Sequence, residues 1–196
     1  LIDQGTPGMI MEREIPMIGG TSSWEVVFDD CRVPESALLG REGDGFAPMQ
    51  VRLGTRRLEM ACWCIGNAER ALAMMIDHAK QRQTFGQLLA DRQVVQWWIA
   101  DAEAKIRSTR LLAYDLAWRL DRGEDVRRLV SLIKFYATEM AQEIVDHAMQ
   151  AHGAMGMTKE LPLHQMAAQV RLMRIYDGPS EVHRWVVARE AIRAAA

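Results

Sequence analysis

The chain has 196 residues, of which 49% are hydrophobic, 26% charged and 7% aromatic, a make-up that excludes intrinsic disorder. Lys plus Arg number 24 against Asp plus Glu 26, a formal net charge of -2, so no basic excess exists to neutralise a phosphate polymer, and nucleic-acid binding is not expected. No apolar run approaches the roughly 20 residues of a membrane span, and three cysteines, Cys31, Cys62 and Cys64, read as buried thiols of a reducing compartment rather than as a disulfide framework.

The chain opens at Leu1 with neither a charged n-region nor a secretory h-region, and this abrupt entry suggests a numbering that starts inside a longer polypeptide. Residues 1–40 are punctuated by Pro7, Pro16, Pro34 and Gly19-Gly20 around the strand-like run Trp24-Glu-Val-Val-Phe28, which predicts a short β-rich segment. From Phe46 onward the punctuation almost stops and apolar residues recur at helical spacing. Leu58, Cys62, Ile65, Leu72, Met75 and Ala79 form one stripe. A second runs Val95, Ile99, Ala102, Ile106, Thr109, Ala113, Leu116, Leu120, and a third runs Val126, Val130, Ile133, Ala137, Met140, Ile144, Ala148, Ala151. Each suits a helix of about 25 to 35 residues, or roughly 40 to 50 Å, with short breaks expected at Phe85-Gly86 and at 121–124. Long helices on short links predict an antiparallel bundle. The last section breaks at Gly153 and Gly156, resumes near Leu161, turns at Asp177-Gly178-Pro179 and ends as a helix near Ile192, giving four principal helices and one shorter segment. The many Met and Trp residues read as core or subunit-contact residues. Trp97 and Trp98 lie about 100° apart on a helix, so both cannot face one core.

Four local strings attract a chemical reading. Asp177-Gly-Pro-Ser-Glu-Val-His183 spaces Asp, Ser and His three apart, but a triad on one helix face lacks a nucleophile elbow and a separate oxyanion hole. A helix start explains it better, with Pro179 at the first helical position and Glu181 in the first turn. Gln150-Ala-His-Gly-Ala-Met-Gly156 reads as a helix C-terminus. Arg82 with Phe85-Gly86 could meet a pyrophosphate and an adenine, or could be a solvated Arg and a buried Phe. Arg56-Arg57 could orient a carboxylate or a thioester, or pair with Glu59. The five histidines lack ligand-spaced pairs, so no metal site is expected.

Taken in order, these strings resemble the C-terminal half of the acyl-CoA dehydrogenase family of flavoenzymes. Residues 27–34 and 39–46 resemble the exit from the family's middle β-domain. Gln81-Arg-Gln-Thr-Phe-Gly86 with Gln93 resembles its flavin-contact signature, residues 150–156 its Gln-x-x-Gly-Gly-x-Gly turn, and Ile175-Tyr-Asp-Gly-Pro-Ser-Glu-Val-His183 the block that carries the catalytic base. The resemblance implies a mainly α fold, a four-helix up-down bundle over 43–196 preceded by the end of a β-domain over 1–42. It implies FAD as cofactor, with Arg82 at its pyrophosphate and Thr84, Phe85 and Gln93 along its adenosine side. Gln150 and Gly153 would contact the FAD of a partner subunit, and Pro179 and Glu181 would fall at flavin-facing positions. Arg57, Tyr176 and Gly178 would border the acyl-CoA substrate, and Asp177 would be the base. A homodimer or homotetramer, an electron-transfer flavoprotein as partner, and a cytoplasmic, mitochondrial-matrix or peroxisomal-matrix location also follow from the resemblance.

Three departures bear on the chemistry. Asp177 stands where most of the family has Glu, which draws the carboxylate back by about 1.5 Å, one carbon–carbon bond. Pro179 replaces a Thr that offers a hydroxyl and an N–H to the flavin, and Ala154 replaces the second glycine of the turn. Some members draw the base from the position before the substrate arginine, which here is Arg56. The branch with Asp as base includes animal dehydrogenases fused to a phosphotransferase-like domain. A non-catalytic acyl-CoA- or FAD-binding homologue, or a related flavin oxidase or monooxygenase, would carry the same strings.

Overall fold

The computed structural model describes residues 1–195, in two compact units, Leu1–Leu53 and Gly54–Ala196. In the first, strands β1 (Met9–Pro16) and β2 (Ser22–Phe28) pair antiparallel, from Met9 opposite Phe28 to Pro16 opposite Ser22. Glu12 is the extra residue of a bulge between Met11 and Arg13. The predicted strand lies inside β2, yet Trp24, Val26, Val27 and Phe28 are all exposed. Two strands cannot cover apolar side chains on both of their faces.

Among the described residues five α-helices follow: α1 (Phe46–Ala79), α2 (Gln93–Asp121), α3 (Arg127–His152), α4 (Leu163–Met173) and α5 (Ser180–Ala194). The bundle in the second unit is organised around α3, which packs on α2, α4 and α5. Helices α1 and α2 run antiparallel, tied by the ion pair of Glu69 with Arg110. Helices α2 and α3 do the same, with Trp98 stacked on His147 at 4.7 Å and Lys105 2.6 Å from Glu143. The exposed ion pairs contribute under about 1 kcal/mol each. Burial contributes more: Met60, Met75, Leu116, Ile133, Ile144 and Leu163 are all withdrawn from water, at roughly 1.5–3 kcal/mol per large apolar side chain. Among the described residues no helix is long and apolar enough to cross a membrane.

Several local expectations need correction. The break between α1 and α2 is not two residues but the stretch 80–92, which folds as a small hairpin, β3 (Gln83–Thr84) with β4 (Gln87–Leu88). Phe85 and Gly86 form its tip at φ 50° and 76°, the pair of positive angles that a two-residue type I′ turn requires. Phe85 is 100% exposed, not buried, because the tip carries it beyond the ladder. The thiols are not all buried either: only Cys64 is, while Cys62 is exposed and Cys31 intermediate. The inward face of α1 runs through Met60, Ala61, Cys64, Ile65, Ala68, Leu72 and Met75, and Cys62, two residues before Cys64, points away from it. The burial pushes the Cys64 thiol up to about 12. Trp63, Trp97, Trp118 and Trp185 are exposed, so the tryptophans do not build the core of this chain. Trp97 and Trp98 do part company as their spacing requires, Trp98 being half-buried on His147.

Candidate functional site

The turn between α4 and α5 is shaped by two residues with positive φ, Asp177 at 56° and Gly178 at 101°. Three helices supply donors to its carbonyls. Arg57 Nε of α1 donates to the Asp177 carbonyl at 3.0 Å, and Lys134 Nζ of α3 donates to the Gly178 carbonyl at 2.5 Å. From the first turns of α5, His183 Nε2 meets the same Asp177 carbonyl at 3.2 Å. A carbonyl only accepts, so this nitrogen carries the proton. The other ring nitrogen, Nδ1, is buried without a partner among the described residues. Lys134 is 0% and His183 2% exposed, so the backbone of the turn is tied from the bundle interior. The Asp177 side chain takes no part in this tethering. It stands 22% exposed, with Oδ2 3.7 Å from Arg56 Nε.

Burial sets the electrostatics. It presses His183 down to about 4, with Arg57 and Lys134 adding to the effect against the Asp177 carbonyl bond and carboxylate, so the ring is neutral at ordinary pH. Desolvation also brings Lys134 down to about 8 although Asp177 pulls the other way. The same cause lowers Arg57, opposed by Asp177, and raises the Tyr176 phenol, opposed by Arg56. Gly178 is required twice over: a side chain is strained at its φ, and a Cβ there would lie 2.8 Å from His183 Nε2.

The triad is absent. His183 addresses a backbone carbonyl, and the buried Ser180 side chain lies against the Glu139 carboxyl rather than the imidazole. Pro179 is the N-cap of α5 and not its first helical residue, its ψ of 156° being extended. Glu181 lies in the first turn of α5. Arg56 does pair with Glu59, at 3.3 Å, but its second acidic neighbour is Asp177.

A second constellation lies at the far end of α1. Arg82, Thr84, Gln150 and Gly153 line one cleft of about 420 Å³, together with His78 and His152. The two imidazoles stack at 4.3 Å. Burial, then His152 and Arg82, hold His78 below its ordinary range. Arg92 Nη2 donates to the Thr84 carbonyl at 2.5 Å and fixes the hairpin on the cleft's edge. The exposed Gln93 and Phe85 do not line the cleft. A guanidinium, an amide and a hydroxyl around an open groove form a donor set suited to a pyrophosphate. Arg57 and Ala79 are 22 residues apart on α1, so the two constellations are separated by about 33 Å along the helix axis.

Lys134, His183, His78 and His152 were not singled out by the sequence as site residues. Lys134 left a trace: it lies four residues after Val130 and three before Ala137, on the apolar stripe of α3 where a charge has no reason to be unless it meets something. His183 did stand in the Asp177–His183 string, but its bond to a backbone carbonyl leaves no side-chain signature, and the His78–His152 stack joins rings distant in sequence.

The family model for the C-terminal domain of acyl-CoA dehydrogenases matches residues 43–192. The (R)-benzylsuccinyl-CoA dehydrogenase of Thauera aromatica is 44% identical over 98% of this chain and 48% of its own length. The NADH-dependent acryloyl-CoA reductase of Anaerotignum propionicum is 34% identical over 98% of this chain and 50% of its own. The solved structure of butyryl-CoA dehydrogenase from Megasphaera elsdenii superposes with a TM-score of 0.90 at 29% identity, covering 97% of this chain and 50% of that one. The chain thus spans about half the length of these relatives. With the family model covering residues 43–192 and the helical bundle matching the solved structure, the chain belongs to the acyl-CoA dehydrogenase family, in its C-terminal half.

Proposed function

We propose that this chain is the C-terminal portion of an FAD-dependent acyl-CoA dehydrogenase in which Asp177 removes the α-proton of an acyl-CoA thioester. The observation that carries it is the Asp177 turn: its backbone is fixed by donors from three helices while its carboxylate is left partly exposed. A general base needs such a placement, anchored in position and open to the substrate. FAD, when bound, would accept the hydride that leaves the β-carbon, so that the product is the α,β-enoyl thioester. Everything else falls to this chain's own residues. Asp177 holds the abstracted proton, Arg57 keeps the turn in register, and Tyr176 and Gly178 border the thioester. Because the turn is tethered, it cannot slide forward to offset the shorter Asp side chain, so the acyl group must approach by about 1.5 Å more than it would toward Glu.

The cleft of Arg82, Thr84, Gln150 and Gly153 fits the pyrophosphate of FAD by its donor set, with Gln93 and Phe85 as further contacts of that molecule in this proposal and Pro179 and Glu181 as contacts of the FAD that faces Asp177. A separation of about 33 Å exceeds what one flavin dinucleotide reaches. The FAD in the cleft and the FAD facing Asp177 of the same chain are therefore different molecules, which requires a second chain and supports a homodimer or homotetramer. Residues 1–42 are taken as the end of the β-domain and 43–196 as the bundle domain, with an electron-transfer flavoprotein receiving the electrons. Relatives named for a benzylsuccinyl and for an acryloyl thioester leave the acyl group open.

The test is Asp177→Asn in the full-length, FAD-loaded protein. The amide keeps the shape but accepts no proton, so acyl-CoA-dependent flavin bleaching should slow by about 10²- to 10⁴-fold while acyl-CoA binding persists. Bleaching at the original rate would overturn the assignment of the base.

A further inference from the structure

The cleft at the far end of α1 is short of positive charge for the group it is read to hold. A pyrophosphate diester brings two negative charges, and Arg82 is the one permanently charged side chain that lines the cleft. The other guanidinium at its edge, Arg92, is spent on the Thr84 carbonyl. What remains is the stacked pair His78 and His152, with rings 4.3 Å apart and 22° from parallel, in the wall of the same cleft. His152 Nδ1 lies 2.7 Å from the Ala148 carbonyl, which only accepts, so this nitrogen carries the proton. His152 Nε2 has no hydrogen-bond partner among the described residues, and the residue is half-buried. Both imidazoles also line an adjoining groove with Asp77 and Gln81. The charged groups facing the pair are thus Arg82, which opposes a proton on it, and Asp77, which favours one.

We propose that the His78–His152 pair completes the pyrophosphate site by taking one proton from solvent when the cofactor binds, so that a stacked imidazolium supplies the second positive charge. The inference rests on the reading of this cleft as the FAD pyrophosphate site. Two imidazoles at 4.3 Å take one proton and not two, because like charges at that distance repel. The proton settles on His152, whose Nε2 is free to accept it while Nδ1–H stays on the Ala148 carbonyl. Burial, then His152 and Arg82, already hold His78 below its ordinary range, so His78 serves as the neutral face on which the imidazolium stacks. Without an anion, Arg82 opposes that proton. A phosphate beside both groups turns the balance, since an opposite charge within about 4–6 Å favours the charged ring. An imidazole can make this change near neutral pH, which no other side chain of the cleft can do.

The experiment is calorimetric titration of the full-length protein, stripped of FAD, with FAD at about pH 7.5 in two buffers of unlike ionisation enthalpy, whose difference in heat counts the protons exchanged. Uptake should approach one proton per FAD, and Kd should rise by up to about tenfold per pH unit from about pH 7 to 8.5. His152→Asn, whose amide keeps a donor for the Ala148 carbonyl, should remove most of the uptake and weaken FAD binding by about 10- to 100-fold at the acid end of that range. His78→Phe preserves the stack and should preserve the uptake. No uptake by the unmodified protein, a result that needs no variant, or uptake of the same size in His152→Asn, would overturn the proposal. Arg82→Ala separates the two readings. If it weakens FAD binding while His152→Asn leaves the uptake unchanged, the pyrophosphate site stands and the role of the imidazole pair fails. If it leaves FAD affinity unchanged, the cleft does not hold the pyrophosphate, and both readings fall together.

Discussion

Replacing Gly178 by Ala tests the most constrained point of the Asp177 turn. The residue sits at φ 101°, a region costing a non-glycine residue about 1–3 kcal/mol. The added Cβ would also lie 2.8 Å from His183 Nε2, closer than non-bonded atoms ordinarily settle, and the ring is 2% exposed and bonded to the Asp177 carbonyl. Displacing a packed group of this kind costs a further 1–3 kcal/mol or so. Gly178→Ala should therefore destabilise the protein by about 2–6 kcal/mol, a large share of the roughly 5–15 kcal/mol that holds a domain folded. The assay is the urea unfolding midpoint of the full-length, FAD-loaded protein, repeated in a His183→Ala background. Removing the ring abolishes the steric share but not the backbone share, so Gly178→Ala should cost about 1–3 kcal/mol less there. The same substitution should slow flavin bleaching about 100-fold, the penalty of displacing a reacting group by about 1 Å. A cost below about 1 kcal/mol, or an identical cost in both backgrounds, would refute the account of His183 as the wall behind the turn.

Burial holds Lys134 at about 8 in place of its ordinary 10.5, so between those values the unfolded chain binds the extra proton and stability should rise with pH. Lys134→Met should flatten that rise in urea midpoints measured from pH 8 to 10.5, and an unchanged slope would contradict the burial of the ammonium. His183 obeys the same sign, held near 4 against an ordinary 6.5: its contribution is complete above pH 6.5 and lost as pH falls through 4. His183→Gln, which keeps a donor for the Asp177 carbonyl, should reduce the loss of stability over that acid range relative to the unmodified protein. Arg82→Ala should weaken FAD binding by about 10- to 100-fold in fluorescence titration, and undiminished affinity would remove Arg82 from the proposed pyrophosphate site.

Much of the helical architecture was legible because periodicity reports which face of a helix is buried. The stripes from Val95 to Leu120 and from Val126 to Ala151 became α2 and α3, with Ala102, Leu116, Ile133 and Ile144 buried as their spacing demands. Periodicity misleads where two faces compete or a turn has its own chemistry. On α1 it chose Cys62 over Cys64, since a one-letter period cannot tell two similar small residues apart when each continues a plausible stripe. It took Phe85-Gly86 for a simple break, because hydrogen bonds between Gln83–Thr84 and Gln87–Leu88 leave no apolar pattern.

By itself the sequence determined the helix order, the core stripes and the strings that place the chain in its family, for each of these is a property of neighbours along the chain. The tertiary structure alone decided what surrounds Asp177. Arg57, Lys134 and His183 reach its turn from three helices, across separations of 120, 44 and 6 residues. Which backbone carbonyl a buried donor meets depends on how those helices pack, and no local spacing encodes it.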